Sequence, residues 1–363
     1  MNESWQELLK RYPEPGQLFV LVALISTVLT GVAYTAARNF KLLPTIRGRD
    51  VHTVRKPRVG GVAMWLAIVI TFGFILADPG RAYLLRFGNH TVLGLDKALW
   101  GILLGMAVLL VAGLIDDLRD LSWRGQLISQ ILASLMLVAA GVGVPYINLP
   151  FAHHLILPSP VSALFTVFWT MTVINVINWF DGLDGLAGAI TLTAGLVLVL
   201  VGLRTSSLTL APVTLALIVA GAAAGYLPWN WHPSKLFMGT VGSQVLGFLL
   251  AVIAIVSGGK LATAVLVLGV PVLDALIVIV RRLMAGASPF SADQRHLHHR
   301  LLKLGLPIPW VVIVINAVAV IFGLLAVRTQ SSNLKGLLTL ILAICMALFV
   351  WLTYVLEKRV TKK

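Results

Sequence analysis

The chain has 363 residues, of which 58% are hydrophobic and 12% are charged, and its mean hydropathy is +0.94. This composition excludes an ordinary water-soluble domain and predicts a polytopic membrane protein. The net charge of +14 indicates a basic surface that faces anionic lipids and attracts anionic substrates, and we find no nucleic-acid-binding module. The single cysteine, Cys345, excludes a disulfide framework and a cysteine-based metal site.

Long apolar runs, each of about 17–25 residues, predict about eleven transmembrane helices and therefore an all-α fold. They lie near residues 17–37, 60–77, 98–115, 126–144, 160–180, 184–203, 209–227, 236–257, 261–280, 310–327 and 335–356. The first run is long for a signal-peptide core, so we expect it to be a transmembrane helix. Because no internal repeat or long linker divides the chain, residues 1–363 are expected to form one integral-membrane domain.

Basic residues orient the predicted bundle, because loops rich in Lys and Arg stay in the cytoplasm. The larger share of the 28 Lys and Arg residues falls on one side when the N-terminus is outside and the C-terminus is cytoplasmic. The cytoplasmic loops are then at about 38–59, 116–125, 181–184, 228–235 and 281–309. The polar motifs lie on this face, which indicates a cytoplasmic active site in a plasma (inner) membrane protein.

The first two polar motifs are rich in charge. Residues 52–61 contain three cations, including Lys56, beside a glycine pair, which suits either phosphate binding or anchoring by positive charge. Asp116 and Asp117 end the third predicted helix, where the helix dipole and their mutual repulsion are both unfavourable. A divalent metal, or a role as a base, explains this pair better than packing does.

Asn175, Asn178 and Asp181 bring polar groups to the end of the fifth predicted helix. Ionisable groups inside a membrane cost about 2.5–3.5 kcal/mol each, so they are functional candidates. The three-residue spacing predicts one cluster of oxygen ligands on a helix flank, within about 9 Å along the axis. Two glycines follow, so Asp184 is expected in a turn where backbone amides approach a ligand. A polar seam between helices is the alternative interpretation.

Two later motifs lie at residues 237–243 and 281–304. The glycines of the first can expose backbone amides to phosphate or permit close helix packing. In the second, His296 and His299 can share a helical face, either as donors to a diphosphate or as metal ligands. Because the acidic partners offer oxygen ligands, we expect Mg²⁺ or Mn²⁺ on the acids and assign the histidines to phosphate.

Taken together, the motifs from about His52 to Arg300 resemble the polyprenyl-phosphate N-acetylhexosamine-1-phosphate transferases, a family that includes the bacterial WecA, TagO and MraY enzymes. The order His296-Leu-His298-His299 is similar to the WecA and TagO branch. The resemblance implies that a sugar 1-phosphate, by default N-acetylglucosamine 1-phosphate, passes from a UDP-sugar to undecaprenyl phosphate or another polyprenyl phosphate. The products are a polyprenyl-diphosphate-sugar and UMP, Mg²⁺ is required, and the reaction begins the membrane stage of cell-envelope glycan assembly.

The same resemblance implies a role for each matching residue. Catalysis is assigned to Asp116, Asp117 and Asp181, and we expect Asp116 to take a proton from the lipid phosphate. The implied metal ligands are Asn178, Asp181 and the residue at position 240. The implied nucleotide-binding residues are Lys56, Leu183 and Asp184. The diphosphate and the sugar are assigned to His296, His298, His299 and one of Arg281 or Arg282.

Thr240 departs from the family pattern, which usually has a metal-binding Asp at this position. A hydroxyl is a neutral and weaker ligand for a hard cation. The sequence therefore allows three outcomes. The metal is held by Asn178 and Asp181 with added waters, or it binds only together with the diphosphate, or activity is lost.

Two other function classes stay open at this point. A secondary transporter would use Asp181, Asp184 and Asp274 as a carboxylate relay, although carriers place such sites near the membrane midplane. A non-catalytic protein that binds a nucleotide-sugar or a lipid diphosphate is suggested by Thr240 alone. Asp274 itself is expected to form an ion pair with one of the two arginines at 281–282, or to lie in the cleft. The sequence leaves open the sugar, the carrier and whether two copies form a homodimer.

Overall fold

The computed structural model describes residues 14–41, 56–88, 90–148, 150, 154–204, 210–258, 260–286, 296–329 and 331–360. Parts of two predicted cytoplasmic loops, residues 42–55 and 287–295, lie outside the described residues. The helices are α1 (Glu14–Asn39), α2 (Gly60–Ala77), α3 (Lys97–Arg119), α4 (Trp123–Ala139), α5 (Ser159–Phe180), α6 (Leu186–Arg204), α7 (Ala211–Asn230), α8 (Gly239–Val256), α9 (Leu261–Val267), α10 (Gly269–Met284), α11 (Leu297–Lys303), α12 (Ile308–Arg328) and α13 (Ser332–Val360).

The helical architecture confirms the predicted polytopic membrane fold. Within the described ranges, nine helices are long and apolar enough to cross a membrane, and α4 is slightly shorter, with 17 residues. The helix predicted over 261–280 is broken into two, because α9 and α10 meet at an angle of 82°. Gly269 and Pro271 begin α10, and both residues weaken a continuous helix. The orientation in the membrane stays a prediction.

Short elements that the apolar runs did not predict lie between the long helices. A 3-10 helix spans Ala82–Leu85. Two antiparallel hairpins pair β1 (Thr91–Val92) with β2 (Leu95–Asp96) and β3 (Tyr146–Asn148) with β4 (His154–Ile156). Asp96 caps α3, and its carboxylate accepts hydrogen bonds from the backbone N–H groups of Phe87, Gly88, Ala98 and Leu99.

Helix α8 is the centre of the bundle, because every residue from Gly239 to Ile255 is buried. It packs against α2, α3, α5 and α7. Two glycines permit this close packing at the start of α8. A side chain at Gly61 of α2 would meet the backbone of Gly242, and one at Gly113 of α3 would meet the backbone of Val241. Small residues therefore bring two further helices against the N-terminus of α8.

Candidate active site

Several segments converge at the end of the bundle where α3 and α5 end and α8 begins. The chain that leads into α2 runs beside the chain that leads into α8 and is joined to it by backbone hydrogen bonds. These bonds run from Phe237 N to Pro57 O (2.9 Å), from Gly60 N to Phe237 O (3.0 Å) and from Gly61 N to Met238 O (2.8 Å). They hold the predicted Lys56 next to the start of α8.

The carboxylate of Asp116 is buried, with 1% of the residue exposed, and is surrounded by hydrogen-bond donors. Its Oδ1 accepts from the backbone N–H of Leu121 (2.9 Å) and from Nε2 of Gln126 (2.8 Å). Its Oδ2 accepts from the hydroxyl of Thr240 (2.5 Å). Asp116 therefore joins the turn between α3 and α4 to the first turn of α8. Gln126 was not predicted as part of the site.

Asp117 lies at the N-terminus of α8, although it belongs to α3. Its Oδ1 accepts the backbone N–H of Thr240 (3.0 Å), and its Oδ2 lies 3.5 Å from the N–H of Val241. Gly239 has a φ of +69°, and a side chain there would meet the Asp117 carboxylate. Glycine is therefore required for both the backbone conformation and the close approach. A helix N-terminus favours the negative charge of Asp117.

Asn175 does not join Asn178 and Asp181 in one cluster, so that part of the prediction is wrong. Its side chain exchanges hydrogen bonds with Gln130 of α4 (2.7 and 3.3 Å), whereas Nδ2 of Asn178 donates to Ser243 of α8 (2.8 Å). Each three-residue step turns a helix back by about 60°, so the three positions drift toward different neighbours. Asp181 follows the end of α5 and lies in the loop to α6.

The surroundings of Asp181 disfavour its negative charge. Burial and then the negative charge of Asp117 raise the pKa of Asp181 well above its ordinary value, against the opposing charge of Arg58. Two carboxylates that repel each other in a buried site are hard oxygen ligands for a divalent cation. Mg²⁺ commonly binds one or two carboxylates and completes its shell with water and substrate phosphates. Although no group of three or more His, Cys, Asp or Glu in the described chain is spaced to hold a metal, these acids fit Mg²⁺ shared with a substrate.

A second cluster forms around Asp184, in the turn that the glycines predicted. Gly185 has a φ of +82°, and its N–H donates to Oδ1 of Asn230 (2.9 Å). The buried Asp184 carboxylate accepts from the backbone N–H and hydroxyl of Ser234 (3.0 and 2.6 Å) and lies 2.9 Å from Nδ1 of His232. Lys56 Nζ is 3.6 Å from the same carboxylate.

The structure thus brings the predicted Lys56 and Asp184 together, and it adds His232 and Ser234, which the sequence analysis missed. Both lie in the predicted loop 228–235, but a single His and a single Ser in a loop carry no distinctive pattern. Leu183, predicted at the nucleotide, is only 3% exposed and packs in the core.

His298 is the most buried of the predicted histidines, with no exposed surface. Its ring lies against His296 (stacked, 5.7 Å between centroids), His299 (4.2 Å) and the edge of Phe180 (5.4 Å). Neither ring nitrogen has a hydrogen-bond partner among the described residues. A side chain at Gly182 would meet Nε2 of His298, so the glycine lets the Asp181–Asp184 loop approach this ring. Burial, and then the charges of His299 and His296, lower the pKa of His298 well below its ordinary value, which keeps it neutral.

His296 and Asp274 form a buried pair. Nδ1 of His296 lies 2.8 Å from Oδ2 of Asp274, and the backbone N–H of Leu297 donates to Oδ1 (2.8 Å). Asp274 was expected either to pair with Arg281 or Arg282 or to lie in the cleft; it pairs with His296 and anchors the start of α11. Arg282 is buried, whereas Arg281 is half-buried and faces a groove beside α13. The two arginines therefore do not occupy equivalent places.

Comparison with known proteins gives consistent matches. Residues 99–258 match the protein family described as Glycosyl transferase family 4. The chain is 33% identical over 310 residues to a decaprenyl-phosphate N-acetylglucosaminephosphotransferase of Mycobacterium leprae, with 78% of this chain and 75% of the relative covered. A relative of the same name from Mycobacterium tuberculosis is 35% identical, with 78% and 74% covered. The probable undecaprenyl-phosphate N-acetylglucosaminyl 1-phosphate transferase of Bacillus subtilis is 27% identical over 323 residues, with 87% and 85% covered.

Proposed function

Because the chain belongs to Glycosyl transferase family 4, we propose that it transfers N-acetylglucosamine 1-phosphate to a polyprenyl phosphate. The donor in this proposal is UDP-N-acetylglucosamine, and UMP is released. The observation that carries the proposal is the meeting of Asp117, Asp181 and the His298 ring at one end of a membrane-embedded bundle. At that end, a lipid phosphate in the membrane and a nucleotide from the aqueous side can reach the same point. The excess of basic residues supports a cytoplasmic location for it.

The main demand on such a site is electrostatic. A phosphate monoester has a second pKa of about 6, so most of the acceptor already lacks its proton at pH 7. The larger obstacle is the repulsion between this acceptor and the donor diphosphate. Fixed positive charge that offsets this repulsion lowers the barrier. We assign Mg²⁺ to the carboxylates of Asp117 and Asp181, with Asn178 and Thr240 as neutral oxygen ligands; when bound, the ion neutralises charge on the diphosphate.

Asp116 receives a different role from the one that the sequence analysis expected. Its carboxylate already accepts hydrogen bonds from Leu121, Gln126 and Thr240, so the acceptor phosphate would have to displace a donor to reach it. We therefore assign Asp116 a positioning role. Its carboxylate accepts the hydroxyl of Thr240, and the backbone N–H of Thr240 donates to Asp117. Among the described residues, Asp117 accepts only from backbone N–H groups, so it is the better candidate to face the phosphates.

The donor nucleotide is assigned to the cluster around Asp184. Lys56 Nζ donates to the hydroxyl of Ser234 (2.8 Å) and lies 5.1 Å from the centre of the Phe237 ring, so its charge is held at the surface of the site. Asp184 holds Ser234 and Lys56 in place for uridine or its phosphates. The neutral His298 is assigned to the diphosphate as a hydrogen-bond donor, because its Nε2 has no hydrogen-bond partner among the described residues and is aimed at the Asp181–Asp184 loop.

The test is a reconstitution of the purified protein with Mg²⁺, undecaprenyl or decaprenyl phosphate, and a panel of UDP-sugars. We expect UMP release that requires both the lipid and the metal, is fastest with UDP-N-acetylglucosamine, and is matched by a lipid product of the expected mass. UMP release without a lipid acceptor would indicate a hydrolase. Uptake of substrate without UMP would indicate a transporter, and binding without turnover would indicate a non-catalytic protein.

A further inference from the structure

A groove of about 340 Å³ lies between α10 and α13. Its apolar wall includes Ile277 of α10 and Ala347 of α13, and two aromatic side chains of α13, Trp351 and Tyr354, complete it. Trp351 is 63% exposed on the outer surface of the bundle. An exposed Trp beside a Tyr near the end of a membrane helix is typical of the membrane–water interface.

Two arginines line this groove. Arg281 reaches it from the last turn of α10, and Arg300 reaches it from α11. Arg300 is almost fully buried, and its Nη1 lies 3.5 Å from the carbonyl oxygen of Val350 in α13. The lining contains no acidic side chain among the residues that the structure describes. The groove therefore combines two guanidinium groups with an apolar wall.

The surface of α13 beside the groove is apolar. The neighbouring surface of α13 exposes large apolar side chains, including Ile344, Leu348 and Leu352, which water would not favour. Basic pockets between membrane helices, flanked by interfacial aromatic residues, suit lipid head groups. Guanidinium groups in turn match the oxygens of a phosphate. An acidic soluble partner would not explain the surrounding apolar surface, so a membrane lipid is the occupant that fits both features.

We propose that this groove binds the phosphate of an anionic phospholipid, with Arg281 and Arg300 on the phosphate and an acyl chain along α13. The site is separate from the histidines that are assigned to the diphosphate. His298 and Arg300 are two residues apart on α11, which places them about 200° apart around the helix. His298 accordingly faces Gly182, whereas Arg300 faces α13. A bound phospholipid thus holds α11 from the side opposite the reaction.

The experiment measures lipid retention and needs no turnover, so its result does not depend on the proposed transferase activity. Purified protein is titrated with phosphatidylglycerol or with phosphatidylcholine, and bound lipids are counted by native mass spectrometry. We expect one tightly held phosphatidylglycerol and no comparable phosphatidylcholine. Arg281→Gln removes one charge, and Ala347→Phe fills the groove while leaving both arginines. Arg281→Gln should weaken retention about tenfold, the effect of losing one charge-assisted hydrogen bond. Ala347→Phe should weaken retention as well, because the acyl chain loses its place in the groove.

The matched control is Arg124→Gln. Arg124 also lies at a helix end beside a tryptophan, 5.3 Å from the centre of the Trp123 ring, but it does not line the groove. The Arg124→Gln protein should retain as much phosphatidylglycerol as the wild type. Equal losses in Arg124→Gln and Arg281→Gln would mean general surface attraction and would overturn the proposal. Unchanged retention in both groove variants would overturn it as well, as would one-for-one displacement of phosphatidylglycerol by undecaprenyl phosphate, which would make the groove an acceptor site.

Discussion

The two halves of the candidate site differ in how completely their polar groups are satisfied. On the aspartate side, Asp116 and Asp117 accept hydrogen bonds from α4 and from the first turn of α8. On the histidine side, His298 is fully buried but has no hydrogen-bond partner among the described residues. Burying a polar group without a partner is unfavourable by about 1–3 kcal/mol. The aspartate side is therefore built to be rigid, whereas the histidine side is incomplete until it meets a ligand.

This difference separates positioning from binding. The donors to Asp116 come from the α3–α4 turn, from α4 and from α8, so the carboxylate connects these segments as well as carrying a charge. Among the described residues, His298 makes only ring contacts, which leaves a ring nitrogen available to a diphosphate. Changes on the aspartate side should thus affect folding, metal binding or turnover, while changes on the histidine side should mainly affect the affinity for the donor substrate.

The largest expected effect belongs to Asp117. Asp117→Asn should lower turnover more than about a hundredfold, the usual scale for a metal-binding or charge-bearing catalytic group. The amide oxygen can still accept the Thr240 N–H, so the melting temperature should change little. Asp116→Asn is the comparison, because its amide N–H₂ would face existing donors and should lower both turnover and melting temperature. A wild-type rate in Asp117→Asn would remove this residue from the mechanism.

His298 should show the next largest effect. His298→Ala should weaken binding of UDP-N-acetylglucosamine about tenfold or more, because a hydrogen bond to a charged group is lost. Binding of uridine, which lacks the diphosphate, should be nearly unchanged when both ligands are compared by calorimetry. The exposed His90, at the opposite end of the bundle, supplies a control in His90→Ala. Equal losses for both ligands would assign His298 a structural role instead.

Part of this arrangement was predictable from the sequence. Asp116, Asp117, Asp181 and Asp184 stand out because acids at the ends of apolar spans are unfavourable without a function. Their partners do not stand out. Gln126, for example, is an ordinary polar residue in α4, and its contact with Asp116 depends on how the α3–α4 turn packs. A pattern of residue types reveals where charge is concentrated, but not which donors satisfy it.

The fold shows the same division. The spans were predictable because hydrophobic length determines what can cross a membrane. The break between α9 and α10 was not predicted, although Gly269 and Pro271 were visible signals, since both residues also occur in continuous membrane helices. The separation of Arg281 from Arg282 was beyond the sequence, because adjacent residues differ by about 100° around a helix and the packing decides which one is buried.

Thr240 tests whether the aspartate side holds a metal, with a smaller expected change. Thr240→Asp adds a carboxylate beside Asp116 and Asp117, so it should lower the Mg²⁺ concentration for half-maximal UMP release by about tenfold, since hard cations bind according to carboxylate number. Without Mg²⁺ the added charge should lower the melting temperature, and Mg²⁺ should restore it. Thr240→Asn matches the size of the aspartate without its charge, so it should neither lower the Mg²⁺ requirement nor make the melting temperature depend on Mg²⁺. An unchanged or higher metal requirement in Thr240→Asp would place position 240 outside the metal site.

The smallest effect is expected at Asp274, which contacts His296 and the backbone of Leu297 on the histidine side. While it is ionised, Asp274 can only accept hydrogen bonds, so its contact places a proton on Nδ1 of His296. Asp274→Asn can keep the bond to Leu297 N–H but turns a donating amide toward the ring, which favours the other tautomer. We expect the KM for the donor to rise about threefold with kcat nearly unchanged, and nitrogen NMR of His296 to report the tautomer change. Asp96→Asn, an anchoring acid at the far end of α3, should alter stability without either signal. A changed KM with an unchanged tautomer would mean that Asp274 acts only by fastening α11, and that the two halves of the site differ less than their hydrogen bonds indicate.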